Sequence, residues 1–366
     1  MKTTWIEEAI AKCENKIRKT AQRVGDELIF YAPDNGAYVK HESNDLGWWT
    51  NGFWPGILWL LYRDSKDEVI RAIAESADNR LDEVLYGYDR VDHDTGFMWK
   101  ISAVAEYELT GNDDARKKGM LAASLLASRY CGYGEYIRSW NSDERANIAI
   151  VDCMMNLPIL YWASEQIKDS RFAWIANKFA DTVIDKFIRP DGSVINAIKF
   201  KEGTGEVQEY ISGAIFAPNS SWSRGVAWAL YGFALSYKFT GERKYYDAAK
   251  QVANFYIAAS PEDYVPYKYF KDPVDENSVK DTSAAACAAS GLLLLAELAD
   301  EFDKNTYQKA GEKIVFSLYS NYTEPEEYEP ILHSVCIAGG HRNVIYADYF
   351  YYEALKRLQG KTGLFE

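Results

Sequence analysis

No run of about 18 uninterrupted apolar residues occurs in this chain of 366, so it offers no candidate membrane-spanning helix. Positive charge is in deficit: 41 Lys and Arg against 54 Asp and Glu leave a net charge of −13. Nucleic acid and anionic membrane surfaces want basic patches, so neither is an expected partner. An anionic substrate stays open, because charge inside a cleft matters more than the sum. Cysteines are few and odd in number: Cys13, Cys131, Cys153, Cys287 and Cys336 show no CxxC spacing. A disulfide framework and a structural zinc site are both disfavoured, and a reduced setting fits best. Histidines number four. With no HExxH, no histidine pair and no EF-hand loop, neither a metal nor a cofactor is expected. The start, Met1-Lys2-Thr3-Thr4-Trp5-Ile6-Glu7-Glu8, turns acidic where a signal peptide needs an apolar run, so a cytoplasmic location is expected.

Aromatic residues are abundant instead. Eleven Trp and 27 Tyr exceed what burial needs and suit carbohydrate clefts or large interfaces. Strand signals are scarce, while helical periodicity recurs near 5–24, 49–63, 66–86, 95–109, 112–130, 146–166, 169–188, 221–239, 242–259, 282–300, 303–321 and 343–359. The turns between these segments alternate in length. Tyr107-Glu108-Leu109-Thr110-Gly111-Asn112 and Tyr237-Lys238-Phe239-Thr240-Gly241-Glu242 both end a helix at Gly and restart one at once. The others are long, roughly 25–48, 87–94, 131–145, 189–220, 260–281 and 322–342. Six helix–short turn–helix units joined by long loops predict an all-α (α/α)6 barrel, with residues 1–366 as a single catalytic domain.

That alternation places all long loops at one end, before the even-numbered helices. Trp48, Trp49 and Thr50 fall there, as do His93 and Asp94, Asp152, Trp222 and Arg224, Asp281 and Ser283, and His341, Arg342 and Asn343. Six helix N-termini at one mouth favour an anion. Asp152 heads the segment Ile148–Trp162, whose Val151, Met154, Met155, Pro158, Ile159 and Trp162 form one apolar helical face. It is either a helix cap or a carboxyl with a tuned proton affinity. Asp94 and Asp152 take equivalent places on neighbouring inner helices, and paired carboxyls in different surroundings suit acid–base work on sugars. His93 is either a structural group or a substrate contact. Arg224 is either half of a buried ion pair or a fork of donors for a substrate carboxylate.

Several motifs resemble, in order from about residue 45 onward, the unsaturated glucuronyl hydrolases of glycoside hydrolase family 88. They are Trp49-Thr50-Asn51-Gly52-Phe53-Trp54-Pro55-Gly56, His93-Asp94-Thr95-Gly96-Phe97-Met98 and Val151-Asp152-Cys153-Met154-Met155-Asn156-Leu157-Pro158. Arg189-Pro190-Asp191-Gly192-Ser193, Ser221-Trp222-Ser223-Arg224-Gly225-Val226-Ala227-Trp228 and Asp281-Thr282-Ser283-Ala284-Ala285-Ala286 complete the set. The resemblance implies an (α/α)6 barrel that removes the unsaturated uronic acid from lyase-generated oligosaccharides, glycosaminoglycan fragments or other glucuronate-containing ones. It implies Asp152 as general acid and base and Asp94 as the assisting carboxyl. Substrate contacts are implied for Trp49, His93, Asn196, Trp222, Arg224, Trp228 and His341.

The chain departs from the family pattern in two places. Asn196 stands where a histidine is usual three residues beyond the serine of Arg189–Ser193, and a glutamine usual ten residues before the arginine is replaced near Ala214. Both positions bear on the aglycone and its sulfation. The related unsaturated rhamnogalacturonyl hydrolases are the alternative within hydrolases. A sugar epimerase, which needs paired histidines, and an inactive sugar-binding toroid are alternatives on the same fold. The expected partner is a small oligosaccharide, and a homo-oligomer stays open.

Overall fold

The computed structural model describes residues 2–366 apart from 42, 44, 212–219, 277 and 338–339; the side chains of 2, 3, 337, 340 and 341 also lie outside the description. Its helices are α1 (Lys2–Val24), α2 (Phe53–Ser65), α3 (Glu68–Arg80), α4 (Asp82–Gly87), α5 (Thr95–Trp99), α6 (Ala103–Thr110) and α7 (Asp113–Ala127). There follow α8 (Pro158–Ile167), α9 (Arg171–Lys186), α10 (Ser223–Thr240), α11 (Arg243–Ala259), α12 (Thr282–Leu298), α13 (Glu301–Asn321) and α14 (Ile345–Leu358).

The contacts close a ring. The 3-10 turn Trp49–Gly52 ahead of α2 packs on α5, α5 on α8, and α8 with the 3-10 turn Val151–Met155 on α10. From there α10 meets α12, α12 meets α14, and α14 returns to α2. Outside this ring α3, α7, α9, α11 and α13 each cover the inner helix before them, and α1 covers α14. This is the (α/α)6 barrel.

Composition separates the rings. Helix α12 is buried without a break from Thr282 to Ala296, and α10 from Ser223 to Ser236. An outer helix such as α9 buries one stripe, with Phe172, Ala176, Phe179, Ala180 and Val183 on it. Neighbouring inner elements touch backbone to backbone where glycine allows it. A Cβ on Gly96 would lie 2.5 Å from the Asn156 Cα, and one on Gly52 2.5 Å from the Met98 carbonyl oxygen. That explains both glycines in the Trp49 and His93 motifs.

Short strands occupy the long connections: β1 (Tyr31–Ala32), β2 (Tyr130–Cys131), β3 (Tyr136–Ile137), β4 (Ile148–Ile150), β5 (Ala197–Phe200), β6 (Val207–Tyr210), β7 (Val335–Ile337) and β8 (Gly340–Val344). They pair antiparallel as β1-β8-β7, β2-β3 and β4-β5-β6.

Three expected helices differ in detail. The segment 146–166 is not one helix: Ile148–Ile150 forms β4, Val151–Met155 a 3-10 turn, and α8 starts only at Pro158. An unbroken helix would have placed Pro158 in its interior, without a donor for the Met154 carbonyl and clashing with it. The segment 95–109 breaks at Ser102, whose hydroxyl donates to the Met98 carbonyl. The segment 66–86 is interrupted at Leu81.

Beneath the site the interior is closed by the last residues. Lys100, fully buried, donates to the carbonyls of Leu364 (2.7 Å) and Glu366 (2.9 Å). The Phe365 ring lies parallel to that of Phe350 and edge-on to Phe97, with ring centres 6.0 Å apart in both cases.

Candidate active site

The starts of all six inner elements meet. Trp49, half-buried on its 3-10 turn, lies 4.8 Å between ring centres from Tyr346 at the head of α14 and 5.4 Å from Phe97 of α5. Tyr346 in turn lies under the Arg224 guanidinium at 5.2 Å, and the Trp222 ring flanks the same guanidinium at 4.5 Å. Arg224 Nη1 donates to Asp281 Oδ2 (3.2 Å), Ser283 Oγ (3.0 Å) and the Cys336 carbonyl (3.2 Å). The ion-pair reading of this arginine is thus observed. Nη1 is held by a buried ion pair, and the rest of the planar fork is sandwiched between aromatic rings.

The carboxyls are not spent as caps. Asp94 occupies the N-cap position of α5 but its side chain accepts no capping hydrogen bond. Asp152 sits inside the 3-10 turn, which Ile150 precedes, and its buried Oδ1 has no hydrogen-bond partner among the described residues. By contrast Asp281 caps α12, accepting from the Ser283 and Ala284 amides.

Electrostatics separate the two acids from ordinary carboxylates. Burial pushes the Asp152 carboxyl up to about 7; the Asp94 charge adds to the rise, while His93 and Arg224 oppose it. Burial also drives Asp94 well above the usual carboxylate range, aided by Asp92 and opposed by Asn156 and Arg129. His93 is almost fully buried and its pKa is lowered by that burial, so the ring is neutral at neutral pH. Its Nδ1 lies 3.0 Å from the Ser139 carbonyl, which can only accept, so the proton is on Nδ1. The Nε2 atom then faces Asp94 Oδ1 at 3.5 Å.

Two residues that the sequence motifs did not single out complete the geometry. Asn156, wholly buried, donates through Nδ2 to Asp94 Oδ1 (3.2 Å) and to the Asp152 carbonyl (3.4 Å), and accepts the Phe97 amide at 2.7 Å. It ties the two acids to one bracket. Its place four residues after Asp152 is the only signal the sequence carries. Trp140, half-buried on a long loop, stands edge-on to the His93 ring at 5.6 Å. Nothing in its sequence surroundings marks it.

The remaining expected contacts divide. Asn196 is 7% exposed, and neither amide atom has a hydrogen-bond partner among the described residues. Its Oδ1 would lie 2.9 Å from a Cβ on Gly225, and its carbonyl accepts the Val151 amide at 2.9 Å, so it borders both Asp152 and Arg224. Trp228 is 1% exposed and packs on Phe97 (5.1 Å) and Phe350 (5.4 Å) at the base of the site. Trp222 is also buried, and its ring backs Arg224. His341 stands on β8 with its side chain outside the described residues, as is Ala214 altogether. Asn343, expected at the mouth, donates to Glu324 at 2.8 Å.

The expectation of no metal meets one group worth naming. Ligand atoms of Asp92, His93 and Asp94 lie within 4.8 Å of one another. Two are already engaged: His93 Nδ1 with Ser139, and Asp92 Oδ1 with the Asp94 amide at 2.9 Å. Exhaustive chelation is expected to leave turnover unchanged, as measured by initial rates; a loss restored by a divalent cation would make this triplet a metal site.

A half-buried Trp, an aromatic-flanked guanidinium and two raised carboxyls at one mouth are equipment for an acidic sugar. The relatives agree. An unsaturated glucuronyl hydrolase of Bacillus sp. (strain GL1) is 33% identical over 374 aligned residues, covering 98% of each chain. This chain belongs to the unsaturated glucuronyl hydrolase family. The solved structure of an unsaturated glucuronyl hydrolase from Bacillus sp. GL1, described as responsible for glycosaminoglycan degradation, matches with a TM-score of 0.92 at 30% identity over 98% of both chains. An unsaturated glucuronyl hydrolase variant from Streptococcus agalactiae, complexed with dGlcA-GalNAc6S, matches with a TM-score of 0.83 at 28% identity, covering 96% of this chain and 91% of that one. No family model matches the chain.

Proposed function

We propose that this chain is a glycoside hydrolase that releases the terminal Δ4,5-unsaturated uronic acid from lyase-generated oligosaccharides, with Asp152 as general acid and base. The observation that carries the residue assignment is the Asp152 carboxyl, raised to about 7 yet unpartnered at Oδ1 beside Arg224. An acid with that affinity keeps a proton near neutrality and can still take one back.

The chemistry follows from the substrate, an enol ether whose C5 carries the carboxylate. The Asp152 carboxyl gives its proton to C4, and positive charge develops at C5 and the ring oxygen. Water adds to C5 and returns a proton to Asp152, regenerating the acid. The resulting C5 hemiketal breaks its bond to the ring oxygen, leaving a ketone at C5. The hydroxyl freed at C1 makes a hemiacetal, which collapses to an aldehyde and expels the rest of the chain as an alcohol. The balance is one water consumed.

Trp49 offers the ring face for the sugar, and the free side of the Arg224 fork faces the uronate carboxylate. Asn196, with a donor and an acceptor both unused among the described residues, suits a sugar hydroxyl or the incoming water. Asp94, held by Asn156 and His93, sets the field around Asp152. His93 engages a carboxyl and a carbonyl, not a second histidine, which favours the hydrolase over an epimerase. We take the whole chain as one catalytic domain, acting in the cytoplasm; among the described residues no helix is long and apolar enough to cross a membrane.

Loss of the ultraviolet band of the conjugated C4=C5 carboxylate tests the reaction directly. Across a panel of unsaturated disaccharides cut from glucuronate-containing and galacturonate-containing polysaccharides, which differ in the departing sugar and its linkage, the band is expected to disappear fastest for the glucuronate-derived ones. A panel with no loss anywhere would reject the proposal, and faster loss with the galacturonate-derived disaccharides would move the chain to the rhamnogalacturonyl type.

A further inference from the structure

Outside the acid pair, the loop carrying Trp140 presents a cation that the reaction above does not use. Arg145, exposed at the end of the 3-10 turn Asp143–Arg145, lays its guanidinium over the Trp140 ring at 4.7 Å. It forms no ion pair among the described residues. Glu144 is held below its usual value by its own backbone amide and Ser142 first, and by Arg145 last.

Trp140 itself is well placed. Arg138 braces its loop by donating to the carbonyls of Trp140, Asn141 and Ser142 at 2.9–3.1 Å. The ring packs on Ile148, Ile150 and Ala197, the face of β4 and β5 that leads from Asp152 outward. An enzyme acting on a chain end holds the terminal sugar deepest and lets the rest of the chain leave toward solvent. The line His93, Trp140, Arg145 runs that way, from buried to half-buried to exposed.

Resting on the function proposed above, we infer that Arg145, seated on Trp140, binds an anionic substituent on the departing sugar and gives the enzyme a preference for substrates that carry one. A stacked guanidinium loses little freedom when it binds a planar or tetrahedral oxyanion, because the ring already fixes its plane. At a net charge of −13 the protein repels such a substrate at a distance, so local cations must offset the repulsion. Sulfate ester and carboxylate share this chemistry.

The test compares unsaturated disaccharides that differ only at the departing sugar: neutral, sulfated or carboxylated. For Arg145→Ala, kcat/KM on an anionic disaccharide is expected to fall about tenfold, through KM, and on the neutral one less than twofold, the scale of one exposed charge-assisted hydrogen bond. The sulfated and carboxylated arms show which source the site prefers; a selective loss on either supports the inference. Lys199→Ala is the control for charge alone. Lys199 is the cross-strand partner of Ile148 on that same face and stands opposite Glu209 in the strand register. A smaller, substrate-independent change is expected for it. Equal losses for Arg145→Ala on all three substrates would reduce Arg145 to a prop for Trp140 and overturn the inference, as would no loss on any. An equal selective loss in Lys199→Ala would overturn it too, by assigning the preference to the general field. Turnover of the neutral disaccharide reports separately on the hydrolase reading, so the two fail independently.

Discussion

Asp152→Asn is expected to lower kcat by about 10²–10⁴-fold while leaving the barrel intact, the usual contribution of a positioned acid and base. The amide fills the same volume and cannot deliver a proton to carbon. A variant retaining more than about a hundredth of wild-type kcat would remove Asp152 from the acid's role. Stability supplies a second readout with a definite sign. The carboxyl is raised in the folded protein to about 7, from an ordinary value near 3.9 when unfolded. Its neutral form fits the site, so the folded state is penalised progressively as pH rises above the unfolded value and through the folded one. Asparagine carries no such penalty. The variant should therefore melt higher than the wild type at pH 8, with the gap closing toward pH 4. An active site that stores strain in this way commonly gives back stability when its acid is removed. If the variant melted lower at pH 8, the raised proton affinity would not describe this group.

The barrel was largely legible in the sequence because its signals are local. Gly111 and Gly241 end their helices in the left-handed conformation, as the paired Thr-Gly turns promised. The alternation of short and long connections then required inner and outer rings, and α12 with its unbroken apolar run had to be inner. What the periodicity could not resolve was the stretch at the catalytic acid. Ile148, Ile150, Val151, Met154 and Met155 are as apolar on a helix as on a strand followed by a tight turn. The choice between them is made by residues 197–200, some fifty positions later, which pair with β4. The resulting strand and 3-10 turn leave the Asp152 Oδ1 without a hydrogen-bond partner among the described residues, which a capping role at a regular helix start would not.

The site residues divide on the same principle. Trp49, His93, Asp94 and Arg224 each sit at or beside the start of an inner element, and Asn196 borders Val151 and Gly225. Trp140 and Asn156 were missed for opposite reasons. Trp140 belongs to an irregular loop, and its contact with His93 depends on tertiary placement. Asn156 lies within a motif but reads as a neutral helix residue until both of its amide ends are seen in use.

Asp94→Asn tests how the two acids depend on each other. The Asp94 charge is the second cause of the raised Asp152 carboxyl, after burial. Two acids so placed do not ionise together near neutrality, and each keeps its neighbour's proton on. An amide at 94 carries no charge, so the Asp152 carboxyl should fall toward its usual range and be less protonated at pH 7. The high-pH limb of kcat/KM is therefore expected to move to lower pH, and kcat at pH 7 to drop by about 10²-fold, from lost proton supply and lost orientation together. KM should change little, because Asp94 faces His93 and Asn156 rather than the Arg224 fork. The packing around position 94 should survive, since Asn156 can turn its bracket to an amide oxygen. A rate restored on lowering the pH would assign most of the loss to proton affinity; a rate still low at every pH would assign it to orientation. A high-pH limb unmoved from wild type, with kcat unaffected, would show that Asp152 works alone and would leave Asp94 no assisting role.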